Sequence, residues 1–369
     1  SAFSYCKALK TIDLPESLTK IGSSVFQNCQ ALTSIAIPAS ITEIPSSMFQ
    51  NCSGLTSVSI PATVTTINGS ALQGCSSLTG ITLPAALTKL GSSVFQNCSN
   101  LVEIAIPAGV TTLPMSLFYN CTSLRKVTIN PETTLGGTQV FRSCRSLETL
   151  AYYGEDEIPA PGIIKLGAKM TTIPNYTFSG CSSMKNIILP QGLTAINQYA
   201  LADNTLASVE LPDGLKTIQG WAFRNATFTE LVIPASVTSM SQNYICQNAS
   251  SMTIYMCNSN PISLGSYTLS LKASSGPFAA VVVPTGTVDT YKNAGSNWKK
   301  SEITAPAITD VKAVITGVEY SENKHIVSGK VSLTYDMTAL PERFEAANTA
   351  HVFATGNITF TIDGLSRSA

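Results

Sequence analysis

Seven cysteines, Cys6, Cys29, Cys52, Cys75, Cys98, Cys121 and Cys144, stand 23 residues apart. A zinc site would bring its ligands within a few residues of one another, so this interval is a repeat period and not a ligand spacing. Other residues keep the same period. One unit reads Leu32, Ile35, Ile37, Pro38, Ile41, Thr42, Ile44, Phe49, Cys52, and the next reads Leu55, Val58, Ile60, Pro61, Val64, Thr65, Ile67, Leu72, Cys75. After a break the pattern returns with Met184, Ile187, Leu189 and Pro190, then shortens to 22 residues through Leu206, Val209, Leu211 and Pro212. With degenerate copies there are about twelve units, enough to constrain the chain to an array in which each unit contacts only its neighbours.

Within a unit, Ile35 and Ile37 alternate with Ser34 and Ala36, the period-2 pattern of a short strand with one buried face. Pro38 has no amide proton for a ladder, so it ends the strand and begins a turn. Ile41 and Ile44 return inward, and Ser46 to Cys52 reads as a short turn or 3₁₀ segment carrying Phe49 and Cys52 to the core. One unit cannot bury these groups alone. Stacked units share a continuous core, with parallel strands about 4.8 Å apart.

The pattern L-x-x-I-x-I-P-x-x-V-T-x-I followed by F-x-x-C resembles the BspA-like leucine-rich repeats, the fifth recognised leucine-rich class. The resemblance runs from about Ser1 to Ile303, and VVVPTGTVDTYKNAGSNWKK from Val281 resembles the way such arrays end. It implies a β-dominated α/β leucine-rich repeat solenoid, a right-handed superhelix with a parallel sheet. It also implies a noncatalytic surface or secreted protein of host-associated bacteria, adhering to a host or matrix protein, with no cofactor.

Composition narrows the partners. Charged residues make up 12% of the 369 residues, and Lys+Arg equals Asp+Glu at 22 each, so no net field draws nucleic acid or an anionic membrane. No apolar run reaches a membrane span, and the N-terminus lacks the order of a signal peptide. Phe3 already occupies the Phe position, so the chain starts in mid-repeat; a polar cap and an export signal are expected on a preceding segment. The expected location is extracellular or on the cell surface.

Two organisational breaks stand out. Cys144 and Cys181 are 37 residues apart, with the extra residues around Tyr153 to Gly162, which predicts a loop insertion. Its run Glu155, Asp156, Glu157 lacks the alternating donors of a calcium loop and reads as solvated. After residue 303 the period disappears. Residues 304–369, starting near Pro306, read as a small all-β module or cap with strands at Val311 to Tyr320, Ile326 to Tyr335 and His351 to Ile362.

The cysteines of the array, with Cys181 as an eighth, are expected to form a structural column of small buried thiols. Asn204, Ala226 and Asn248 fill the same position later, so neither sulfur nor pairing is required. Cys246 is read as following the Phe position and Cys257 as filling the proline position, and the two could form a disulfide or remain free. Both histidines, His325 and His351, lie in the C-terminal module, leaving the array without an imidazole base. Glu210 and Glu230, read as one outward position in adjacent coils, approach the separation of a retaining glycosidase pair, but a flat sheet gives them no cleft.

Surface remains as the functional candidate. The outward strand positions run Ala36, Ser59, Thr82, Ala105, Thr128, Ala151, then Ile188, Glu210, Val232 and Tyr255. Small residues give way to apolar, acidic and aromatic ones of the kind that anchor interfaces. Ile188, Glu210, Val232 and Tyr255 are therefore the expected binding residues, with Tyr152, Tyr153 and Trp221 added if exposed. Three readings stay open: a protein partner, a glycan, which would want aromatic platforms, and an architectural spacer without a ligand. Oligomeric state is not encoded in these patterns.

Overall fold

The structure is a computed structural model describing residues 1–155, 157–241, 243–272, 277–306, 308–320, 326–337, 340, 344 and 358–359. Asp156, His325 and His351 lie outside these residues. The array is a parallel-sheet β-solenoid of about 12 turns with little helix. Each coil has three sides. The first carries the longer strands, such as Ser34–Ala36, Ser57–Ser59, Glu103–Ala105 and Lys126–Ile129. The second carries two-residue strands, such as Glu43–Ile44, Thr66–Ile67 and Lys89–Leu90. Pairing is parallel and offset by one repeat, Ile35 opposite Val58 and Ile44 opposite Ile67, so like residues stack on like. In Ser34–Ala36 only Ile35 is buried, as the alternation requires.

The third side is a turn segment with its own inter-coil ladder. Ser24, Phe26 and Asn28 donate their amides to the carbonyls of Ser46, Met48 and Gln50 at 3.0, 3.0 and 2.7 Å. Serine two residues before the Phe position and asparagine one residue before the Cys position are left-handed, with φ of 56° at Ser24 and 60° at Asn28. Asparagine tolerates that region through its short polar side chain, and glycine, as Gly74 at φ 75°, does so without a Cβ. The phenylalanines stack inside: Phe95, Phe118, Phe141 and Phe178 follow one another at 5.8, 5.6 and 5.5 Å between ring centroids. One hydrophobic core runs from Phe26 to Ile303.

The cysteine column is buried from Cys29 to Cys181. Each thiol donates to the carbonyl at the Phe position of the coil before, Cys52 to Phe26 at 2.9 Å and Cys121 to Phe95 at 2.9 Å. The position is thus small, apolar and endowed with one weak donor, which gives a second partner to a carbonyl that already accepts the amide of the Cys position in its own coil, as Phe26 accepts from Cys29 at 3.1 Å. Cys6, expected in this column, is instead exposed. Cys246 occupies the Phe position itself, since Phe223 donates to the carbonyl of Ile245 just as Phe95 does to that of Leu117. Cys246 and Cys257 are both buried and are not joined to each other, the first in the main core and the second beside Tyr255 and Phe344. A thiol reagent should therefore label Cys6 quickly in the native protein and the column only after denaturation. Rapid labelling of the column in the folded state would contradict this packing.

The insertion is more than a loop. Gly162 donates to the carbonyl of Glu148, and Lys185 donates to that of Gly162, at 2.9 and 2.8 Å. Residues 149–155 and 157–162 thus belong to a short coil that adds the strand Ile163–Lys165 to the first side without adding to the Phe column, where Phe141 stacks directly on Phe178. At the other end Val288–Asn293 and Trp298–Lys300 are short helices. Tyr291 and Trp298 meet edge to face at 4.8 Å and donate to the carbonyls of Asn258 and Ile262. Ile303–Thr304 pairs with Ala280–Val282 as the last strand of the first side, and Ile308–Tyr320 and Ile326–Met337 form an antiparallel pair beyond it.

Candidate functional site

The first side offers a face of outward residues whose pairing is interrupted between Thr149–Tyr152 and Ile163–Lys165 and at two coils that carry no strand. Residues 80–83 and 208–211 keep the strand position but take no part in sheet pairing. In the first case Gly80 stands where other coils have Ser57 or Glu103, and glycine weakens a strand by its backbone freedom. In the second the unit is one residue short, 22 between Ile187 and Val209. At each of these two coils the face sinks into a depression.

The later depression, about 380 Å³, is lined by Asn186, Ile188, Gln191, Ser208, Glu210 and Asp213 among others. It brings together two of the expected binding residues, Ile188 and Glu210. Ile188 is 47% exposed, unusual for an isoleucine in a regular strand, and Glu210 is exposed beside it. The earlier depression is larger, about 980 Å³, and lies over Val58, Ser59, Gly80, Ile81, Thr82, Glu103 and Lys126. The broken strand thus opens space among the small outward residues of the early half.

Three expected binding residues are placed differently. Tyr255 is buried, not an open anchor, because Phe344 packs on its ring at 5.4 Å, and Leu340 joins the same cluster. Val232 is half-buried under that cluster. The Tyr255 hydroxyl donates to Glu230 at 3.4 Å, and burial followed by that carboxylate raises its pKa. Tyr152 is buried too, its hydroxyl donating to the Lys165 carbonyl at 2.9 Å under the short coil. Tyr153, at 40% exposure, stands at the surface of the insertion. Glu210 and Glu230 do not share a position: Glu230 pairs with Thr253 and Val232 with Tyr255, so Glu230 sits two residues earlier than the position of Glu210.

Two features escaped the sequence reading. Lys165 occupies the outward position of the short coil, opposite Ile188, and binds Glu155 at 2.9 Å. On the third side, aromatic residues stack in successive coils at the position of Ser24, an arrangement visible on aligning the units two residues before the Phe position.

The coil geometry defines a leucine-rich repeat solenoid. The model of the BspA type leucine rich repeat region matches residues 1–102, 42–158 and 163–273 in 6 copies, and the chain belongs to that family. Among solved structures, a leucine-rich repeat protein from Bacteroides ovatus is 28% identical, covering 74% of this chain and 63% of its own, with a TM-score of 0.48. A leucine rich cell surface protein from Faecalibacterium prausnitzii is 24% identical over 64% and 63%, with a TM-score of 0.39. The pneumococcal vaccine antigen PcpA is 20% identical over 74% and 79%, with a TM-score of 0.51, a likeness of fold. The chain spans less than two thirds of the first two of these proteins. No curated protein sequence matches it. Among the described residues, no helix is long and apolar enough to cross a membrane.

Proposed function

We propose that the chain is a noncatalytic binding module of a cell-surface or secreted adhesion protein, which takes hold of a host or matrix protein on the first side of the solenoid. The observation that carries this reading is the break at residues 208–211, where Ile188 and Glu210 meet in one depression. An exposed branched apolar side chain beside a carboxylate, in a recess fixed by strands on either side, is the kind of local anchor in which binding energy concentrates. Family membership and the repeat fold support a role in protein interaction. A noncatalytic role fits the positions of Glu210 and Glu230, which do not confront one another.

The test is a binding screen of the purified chain against matrix proteins and a glycan panel, followed by variants. Ile188→Ser and Glu210→Ala should each weaken a protein ligand by at least about fivefold, the equivalent of about 1 kcal/mol, while Ser59→Ala and Thr82→Ala should leave it unchanged. If the second pair alone weakens binding, the ligand sits in the earlier depression and the assignment is wrong.

A further inference from the structure

The position two residues before the Phe position changes character along the chain. It holds Ser24, Ser47, Ser70, Ser93 and Ser116, then Gln139, then Tyr176, Tyr199, Trp221, Tyr244 and Tyr267. The five aromatic rings follow one another with centroid separations of 4.6, 5.1, 6.0 and 5.4 Å, forming a ladder on the third side of the coil. Tyr176, Tyr199 and Trp221 have φ of 58°, 56° and 58°, a left-handed backbone that bulky side chains adopt at an energetic cost. Serine fills the same position with the same backbone in five coils, so the solenoid does not need aromatics there. Strain held in place at a run of bulky residues points to use and not only to packing.

The chemistry of the ladder is specific. Tyr176 and Tyr199 have both ring faces occupied, Tyr176 by Arg142 at 4.6 Å and Tyr199, Tyr199 by its two ring neighbours, so edges and hydroxyls are what they offer to solvent. A stacked platform for a sugar face is therefore not presented. Ring edges are the positive end of the aromatic quadrupole, and phenols are donors. Cations border the row: Arg142 at its start, Arg224 at 6.0 Å from Tyr199, and Lys300 at 5.9 Å from Tyr267. One carboxylate, Asp203, lies among them, hydrogen-bonded by Asn225 and Ser179, and is outnumbered by the three cations. On a chain with no net charge, this strip favours an electron-rich, anionic ligand. Its step also discriminates. Side chains on one face of an extended peptide recur about every 6.8 Å, out of step with rings 4.6, 5.1, 6.0 and 5.4 Å apart.

We propose that the ladder from Tyr176 to Tyr267 binds a linear anionic polysaccharide, laid along the solenoid axis with its acidic groups toward Arg142, Arg224 and Lys300. This site lies on a different side of the coil from Ile188 and Glu210 and does not depend on them. The test is affinity electrophoresis of the full chain in gels containing polygalacturonate, with a neutral β-glucan and poly-glutamate as comparisons, and with Trp221 fluorescence as a second readout. Retardation by polygalacturonate, weakened by salt, and absent with the neutral glucan is expected. Trp221→Ser and Tyr199→Ser place in the ladder the residue that earlier coils carry there, so they should fold; together with Arg224→Ala they should each lower affinity about tenfold. Ile188→Ser should bind as the parent does. Absence of retardation, undiminished binding by the serine variants, or equal retardation by poly-glutamate would overturn the proposal.

Discussion

Phe118→Ala is expected to destabilise the folded chain by about 3–5 kcal/mol, as for other buried aromatics. Phe118 is fully buried and stacks on Phe95 at 5.8 Å and on Phe141 at 5.6 Å, nearly parallel to both. Removing the ring takes away contacts on two sides at once. Collapse into the space is resisted, because Phe95 donates to the Leu117 carbonyl and Phe118 to that of Val140, which hold the coils at their spacing. The chain contains its own control at Leu72, a buried leucine at the same position between Phe49 and Phe95. Phe118→Leu should accordingly cost less than about 1.5 kcal/mol. At the end of the column Phe3, 38% exposed and stacked on one neighbour only, should tolerate alanine far better than Phe118. Urea unfolding followed by circular dichroism measures all three. A loss under about 1 kcal/mol for Phe118→Ala would mean that the rings do not share the core.

The period made the solenoid legible because every coil solves the same problem with the same residues. Ile35 inward, Pro38 at the turn, Phe49 and Cys52 at the core are positions that any one unit reveals and the others repeat. What the period could not convey lies where the repeat is broken or absent. Residues 149–162 are too few to show periodicity, so their extra strand looked like a loop. At residues 80–83 the inward pattern Ile81 and Leu83 persists, so the alternation gives no sign of the pairing lost where Gly80 stands. Tyr255 was misplaced as an open anchor because Leu340 and Phe344, which cover it, belong to a segment with no repeat against which to align them. The aromatic ladder was different in kind: Tyr176, Tyr199, Trp221, Tyr244 and Tyr267 were readable in aligned units, but attention to the strand positions passed over a turn position held by serine in the early coils. Even so, alignment alone could not say that the rings stack or that Arg142 covers one of them.

The buried thiols make the fold sensitive to alkali. Burial raises the pKa of Cys52, Cys98 and Cys246 to about 12, and it raises those of Cys75, Cys121, Cys144 and Cys181 as well, with neighbouring thiols adding to the effect at Cys75, Cys121 and Cys144. In the unfolded chain the same groups ionise near pH 8.5. Because the folded values are the higher ones, the associated stability is complete below about pH 8.5 and is lost as pH rises toward the folded values, the unfolded chain having released protons that the folded chain retains. Each thiol contributes a slope of about 1.4 kcal/mol per pH unit. Seven acting together approach about 10 kcal/mol per pH unit, against a typical total stability of about 5–15 kcal/mol. Unfolding is therefore expected within about two pH units above the thiol range. Urea titrations under reducing conditions at intervals from about pH 7.5 to 9.0 keep the measurement about a unit below the ordinary tyrosine pKa. Alanine already stands at Ala226 in the Cys position, so combining Cys98→Ala, Cys121→Ala and Cys144→Ala is expected to preserve the fold and to reduce the limiting slope by about 4 kcal/mol per pH unit. A stability that does not change with pH across this interval, or a slope unaffected by the three substitutions, would show that the column does not hold its thiols protonated.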